Sequence, residues 1–130
     1  MVSLAKSVEN LVKRKASGGR RRASRGRRAY EQDGYAVETS LGEDLRVMKR
    51  IRGGRVKVAL RRIQYATVVD PTAGKASKVK ILRVVKNPAS RDYERRRVIT
   101  KGALIETEQG LAKVVSRPGQ DGVVNAILVR

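Results

Sequence analysis

The pattern of apolar and polar positions changes character at Tyr35. Beyond it, short runs of Val, Ile and Leu are broken by turn residues about every eight to twelve positions, the spacing of a small all-β sandwich or barrel. Residues 45–51 and 55–60 flank Gly53-Gly54, a pair able to supply the positive φ angles of a two-residue hairpin. In the second of these runs Val56, Val58 and Leu60 alternate with Arg55, Lys57 and Ala59. Such a strand pair, apolar on one face and basic on the other, reads as a barrel wall with its valines inward. Residues 64–69 form the next expected strand, ended by Asp70-Pro71 and a loop to Gly74, and Tyr65 within it reads as core. Residues 78–86 alternate until the phase slips at Leu82-Arg83, which predicts a bulge.

Asn87-Pro88 stops that strand. Residues 90–97 suit one or two helical turns capped by Asn87 or Ser90. The segments 103–108, 111–117 and 123–129, divided by turns at Gln109-Gly110 and at residues 118–122, predict a three-stranded antiparallel meander. The expected domain is therefore an antiparallel β-barrel of about six strands over residues 35–130.

The N-terminal part differs. Val2, Leu4, Val8, Leu11 and Val12 recur loosely at helical spacing, so residues 1–12 suit a short amphipathic helix. Between Lys13 and Arg28 there is no large apolar residue. A stretch of that kind cannot bury enough surface to offset its ordering entropy, so residues 13–34 are expected to be an arm that is disordered alone and folds on a partner.

Charge identifies the kind of partner. The 130 residues carry 31 Lys plus Arg against 12 Asp plus Glu, a formal net charge of +19. This exceeds what solubility needs and calls for a polyanion, of which nucleic acid is the natural candidate. The basic stretches have no Leu or Phe stripe to enter a membrane interface, and no run of apolar residues is long enough to span one. There is no Cys, hence no disulfide and no thiolate metal site, and the N-terminus does not read as a secretory signal.

Three basic clusters are candidate RNA contacts. The first is Lys13, Arg14, Lys15, Gly18, Gly19, Arg20, Arg21, Arg22, Arg25, Arg27 and Arg28 in the arm, where guanidinium groups grip phosphate bidentately and small residues let the backbone follow an irregular surface. Against this stands a plain solvated basic tail. The second is Arg50, Arg52, Arg55 and Lys57 around the glycine pair, against which stands plain protection of a sheet edge by exposed cations. The third is Arg95, Arg96 and Arg97, which Asp92 and Glu94 are placed to neutralise in part. The four tyrosines are the only aromatic residues and make a poor single-strand stacking platform, with Tyr30 and Tyr93, inside basic clusters, as the candidate stackers.

Enzyme readings fail on inventory, since neither His nor Cys is present. Residues 70–75 imitate a phosphate-binding loop, but Val69 stands where its first Gly belongs and Ala76 where Ser or Thr should hold magnesium. Glu106 and Glu108 share a strand face in the least basic region and are weak candidates for metal or acid-base work. Neither a cofactor nor a metal is expected.

At Ser17-Gly18-Gly19 with the Arg-rich run, Tyr30-Glu31, Arg50-Ile51-Arg52-Gly53-Gly54, Tyr65-Ala66 with Asp70-Pro71, and Asn87-Pro88-Ala89 followed by Arg91 and Tyr93, the chain resembles the archaeal and eukaryotic small-subunit ribosomal protein S8e family. The resemblance continues through Ile99-Thr100-Lys101-Gly102-Ala103 and is most specific across residues 105–126. It covers residues 14–130, lacks long insertions as the archaeal form does, and finds no counterpart for residues 1–12. It implies a β-barrel with a basic extension, no catalytic activity, small-subunit ribosomal RNA and neighbouring small-subunit proteins as partners, no membrane or small-molecule substrate, and a cytoplasmic place in the ribosome. A ribosome-assembly factor and a chromatin-like DNA-binding protein are the alternatives.

Overall fold

In a computed structural model, residues 14–22, 25, 26, 28, 30 and 34–129 are described. The helix expected over residues 1–12 lies outside them, as do Lys13 and Arg27 of the arm. The chain divides into two units, Met1–Ala36 and Val37–Arg130.

The second unit holds β1 (Ser40–Leu41), β2 (Leu45–Arg50), β3 (Val56–Ile63), β4 (Tyr65–Asp70), β5 (Lys75–Lys86), α1 (Arg91–Arg95), β6 (Leu104–Thr107), β7 (Gly110–Val114), α2 (Pro118–Asp121) and β8 (Asn125–Leu128). Strands β4 to β8 form a closed five-stranded barrel in sequence order. Neighbours are antiparallel except β4 and β8, whose parallel pairing of Thr67 with Asn125, Val68 with Ala126 and Val69 with Ile127 closes the ring. The all-β barrel expected from the pattern is present, with five strands in the closed ring.

Strand alternation fills the interior. Ala66, Val68, Val79, Ile81, Val84, Ile105, Ala112, Val114 and Ala126 are buried, while Thr67, Lys78, Lys80, Lys113, Asn125 and Ile127 are exposed. Alanine recurs inside because the lumen narrows as strand number falls, and five strands leave little room. Strand β5 pairs with β4 through Lys75 to Lys80 and with β6 from Ile81 onward. Register shifts between Ile81 and Arg83 and between Val84 and Lys86 bend it from one neighbour to the other. The first of these is the bulge expected at Leu82-Arg83.

Two expectations are corrected. The β2–β3 hairpin is not a barrel wall; it belongs to a separate three-stranded sheet ordered β1-β3-β2. Only the second half of β3 reaches the core, through Ala59, Leu60 and Ile63, while Val56 remains 54% exposed and Met48 across the ladder from Val58 is 72% exposed. Alternation shows that a strand has two unlike faces, but not which sheet it joins. The connection is also longer than two residues: Ile51 N–H donates to Arg55 C=O at 2.8 Å across a 3-10 turn, Arg52–Gly54. Gly53 and Gly54 do take positive φ, +75° and +73°.

Tyr65 is the second correction. Its side chain points away from the core and is 39% exposed, because Ala66 and Val68 are the inward positions of β4. A large ring has no room in so narrow a lumen.

Two buried polar residues join the parts. Thr39 Oγ1 donates to Leu60 C=O at 2.7 Å, and Ile99 N–H donates to Thr39 C=O at 2.7 Å, so the small sheet is tied to the segment after α1. Asn87, at 2% exposure, donates from Nδ2 to Val98 C=O at 2.7 Å and accepts at Oδ1 from Ala89 N–H and Thr100 Oγ1, both at 3.0 Å. It fastens the end of β5 to the return from α1, while Ser90 caps that helix by accepting from Asp92 N–H at 3.2 Å. In α2, Gly119 lies so close to the neighbouring chain that an added Cβ would stand 2.8 Å from Val37 C=O.

Replacing Asn87 with Ala strands the Val98 carbonyl in a dry site and deletes three hydrogen bonds. Chemical denaturation of Asn87→Ala is expected to show a loss of about 2–3 kcal/mol. A loss below ~0.5 kcal/mol would show that this node does not hold the fold.

Candidate nucleic-acid interface

In the arm, Lys15 to Gly19 form a tight turn. Gly18 N–H donates to Lys15 C=O at 2.9 Å and Lys15 N–H to Gly19 C=O at 3.0 Å. The left-handed Gly18, φ +81°, occupies the glycine position of a three-residue loop closed by a bulge, which a side chain would strain. Arg14 Nη1 donates to Gly18 C=O at 3.0 Å and braces the turn. Arg14, Lys15, Gly18, Gly19, Arg20, Arg21, Arg22, Arg25 and Arg28 are all exposed. No strand is present among the arm's described residues.

The second cluster surrounds the hairpin turn. Arg50, Arg52 and Arg55 are exposed and brought together where β2 meets β3, with the two left-handed glycines between Arg52 and Arg55. Lys57 behaves differently. It is half-buried, and its Nζ donates to Gln120 Oε1 on α2.

The third cluster is divided by its own acids. Arg96 spans Glu38 and Asp92, donating to both Glu38 oxygens and, from Nη2, lying 2.8 Å from Asp92 Oδ2. Arg95 Nη2 donates to Asp92 Oδ1 at 2.9 Å. Hydrogen bonds from Arg95 and then Arg96 hold the Asp92 carboxyl below its ordinary value, and Glu38 and then Asp92 raise the Arg96 guanidinium further above its own. The Arg96 guanidinium also lies 5.5 Å over the Tyr93 ring. Arg96 therefore clasps α1 to the start of the small sheet.

Arg97 stands apart. The helix ends in a Schellman motif: Arg97 N–H donates to Glu94 C=O at 3.1 Å and Val98 N–H to Tyr93 C=O at 2.9 Å. Its left-handed position, usually Gly, is filled by Arg97 at φ +55°, the one non-glycine residue with positive φ among those described. Its side chain is exposed.

Several exposed cations lie outside the three expected clusters: Arg46, Arg61 and Arg62 on the small sheet, and Lys78 and Lys80 on the outer face of β5. Lys78 and Lys80 alternate with the buried Val79 and Ile81. Nothing local in sequence shows that Tyr65 lies across the ladder from Lys80, with Lys78 Nζ 5.0 Å from its ring centre. Glu106 is bonded to Arg83, and Glu108 falls in the turn after β6 ends at Thr107, so the two acids expected on one strand face are not a strand pair. Among the described residues no cluster of three or more potential metal ligands occurs, and no helix is long and apolar enough to cross a membrane.

Comparison with known proteins decides the family. The profile described as "Ribosomal protein S8e" matches residues 9–129. The chain belongs to the ribosomal protein S8e family. It is 48% identical over 118 residues to the "Small ribosomal subunit protein eS8" of Sulfolobus acidocaldarius, covering 90% of this chain and 92% of that one. The protein of the same name from Ignicoccus hospitalis is 49% identical, with 89% and 91% covered, and that from Methanoculleus marisnigri 48%, with 89% and 93% covered. These relatives are archaeal, in keeping with the compact form, and the S8e family is one of ribosomal proteins and not of enzymes. The match also takes in residues 9–12, which had no counterpart in the resemblance read from motifs.

Two outcomes follow from the third cluster. Arg97→Gly relieves the left-handed strain and is expected to raise the stability of the isolated protein by about 0.5–1 kcal/mol in urea denaturation, after allowance for the freer unfolded chain. Because the Asp92 pKa is lowered on folding, its contribution is complete above the ordinary value of 3.8 and disappears as pH falls through the depressed folded value. Asp92→Asn should accordingly be less stable than the parent at neutral pH, with the difference vanishing in strong acid. A constant difference across that range would show that the pair does not act through charge.

Proposed function

We propose that the chain is a structural constituent of the small ribosomal subunit that binds ribosomal RNA through its basic arm and through the exposed arginines of the small sheet and α1. Family membership together with a net charge of +19 carries this reading. Ribosomal RNA supplies the polyanion that such a surface needs, and the relatives' shared name supplies the particle. Its partners are small-subunit RNA and adjacent small-subunit proteins, and its place is the cytoplasmic ribosome. Its work is to hold RNA helices in position, which requires neither cofactor nor small-molecule substrate.

The clusters divide the labour. Arg20, Arg21, Arg22, Arg25 and Arg28, with Lys13, Arg14, Lys15 and Arg27 by sequence, thread between RNA segments; Gly18 and Gly19 give the close backbone approach that a grooved surface demands. Arg50, Arg52 and Arg55 present a second contact on the hairpin turn. Arg97 serves as the outward member of the third, while Arg95 and Arg96 fix its helix through Asp92 and Glu38. Lys57, turned to Gln120, positions the hairpin against α2 and contributes charge at short range.

With six to ten phosphates neutralised, binding to small-subunit ribosomal RNA should weaken with a log-log salt slope on the order of −5 to −9. Replacing Arg20, Arg21 and Arg22 with Ala should flatten that slope by about three. In a sucrose gradient of cell extract, the protein is expected with mature and translating small subunits at near-equal stoichiometry after a high-salt wash. Confinement to immature particles would identify an assembly factor. A slope near −1, or equal affinity for duplex DNA, would defeat the RNA reading.

A further inference from the structure

We propose that the outer face of the β4–β5 hairpin is an additional RNA contact, in which the Tyr65 ring stacks an unpaired base and Lys78 and Lys80 hold the adjoining phosphates. This inference rests on the RNA-binding reading above and adds a site outside its three clusters.

Register brings the three side chains together. Tyr65 pairs with Lys80 and Thr67 with Lys78 across the antiparallel ladder, so all four share the outer face. Lys78 Nζ lies 5.0 Å from the Tyr65 ring centre, and the ring is 39% exposed. Among the described residues, the outward positions of β4 and β8, and of β5 as far as Lys80, hold no carboxylate: they are Tyr65, Thr67, Val69, Ala76, Lys78, Lys80, Asn125 and Ile127. The two ammonium groups on this face thus have no anionic partner among those side chains. Every base has a π-face, and an aromatic ring beside cations is the recurring means of holding a nucleotide without reading its identity. Lys78 and Lys80 are two positions apart on one strand, roughly 6.6 Å, a spacing suited to successive phosphates of an extended strand.

The other tyrosines are less suited to this role. Tyr93 is half-buried beside Arg96, within the clasp to Glu38 and Asp92. Tyr30 and Tyr35 lie outside any strand. Tyr65 is carried by a barrel strand paired on both sides, to β5 and to β8, so its backbone is fixed before RNA arrives and little order is lost on stacking.

The test uses the full-length protein and small-subunit ribosomal RNA from the organism that makes it, comparing affinity, salt slope and tyrosine emission. With four tyrosines and no tryptophan, emission reports the tyrosines directly. Tyr65→Ala and Tyr65→Leu should weaken binding about tenfold, whereas Tyr65→Phe keeps the ring and should stay within about twofold. Tyr65→Phe should also remove part of the quenching that accompanies RNA binding. Lys78→Ala and Lys80→Ala should each reduce the salt slope by about one. If Tyr65→Ala is poorly folded, Tyr65→Leu and the lysine variants carry the same comparison. Unchanged affinity in the Tyr65 variants and unchanged slopes in the lysine variants, with the Arg20–Arg22 variant still weakened, would overturn this site and leave the RNA reading standing. Failure of the parent protein to prefer ribosomal RNA over duplex DNA would overturn both.

Discussion

The pairing of β4 with β8 is the constraint on which the rest of the domain depends. Strands β4 to β8 would otherwise be an open antiparallel sheet with two edges; the parallel register from Thr67–Asn125 to Val69–Ile127 turns it into a closed ring. Closure with only five strands leaves a lumen that accepts Ala66, Ala112 and Ala126 between Val and Ile side chains, and excludes rings. Strand β5 must then serve two neighbours in succession, and its register shifts release the curvature that this requires. The same closure fixes the phase of β4 and β5, and with it which side chains face solvent.

Charge is arranged around that small core in two distinct ways. Some cations are spent on the fold. Arg96 joins Glu38 to Asp92, Arg83 meets Glu106, and Lys57 meets Gln120. Each of these bonds is exposed or partly so, where a single ion pair adds little to stability, so their chief effect is to set the direction of an element. Among the described residues, other cations sit on the arm, on the hairpin turn, on and just after α1, and on outward strand positions. A compact domain carrying this excess repels itself in isolation, and neutralisation by a polyanion removes that penalty.

Much of this organisation was legible in sequence, and the misses have a common physical origin. The meander of β6, β7 and β8, the bulge near Leu82, the Ser90 cap and the positive φ of Gly53 and Gly54 all follow from local rules, and all are present. The misplaced features, Tyr65 in the core and the β2–β3 hairpin in the barrel wall, depend on non-local facts. Whether a strand residue points in or out is settled by the phase of the closed ring, and which sheet a hairpin joins is settled by its neighbours in space. Of the basic site, sequence identifies the cations and where they cluster. It does not separate Arg96, held by acids from two elements, from Arg97 beside it, because Glu38 lies 58 positions away from Arg96.

That last pair carries the argument furthest. Adjacent arginines in one run, alike in composition, occupy opposite roles because the end of α1 rotates one toward the protein and the other away. Arg96 caps the helix and faces Glu38 and Asp92; Arg97 follows in the left-handed conformation that the Schellman turn imposes. Glycine would satisfy that turn at lower conformational cost, so the backbone alone gives no reason for a long cationic side chain there. A residue that a fold tolerates at a cost is better explained by what its side chain reaches than by what its backbone does. By the same reasoning, a tyrosine excluded from a narrow barrel and set beside two lysines of β5 is not a misplaced core residue, since closure of the barrel is what presents its ring to solvent.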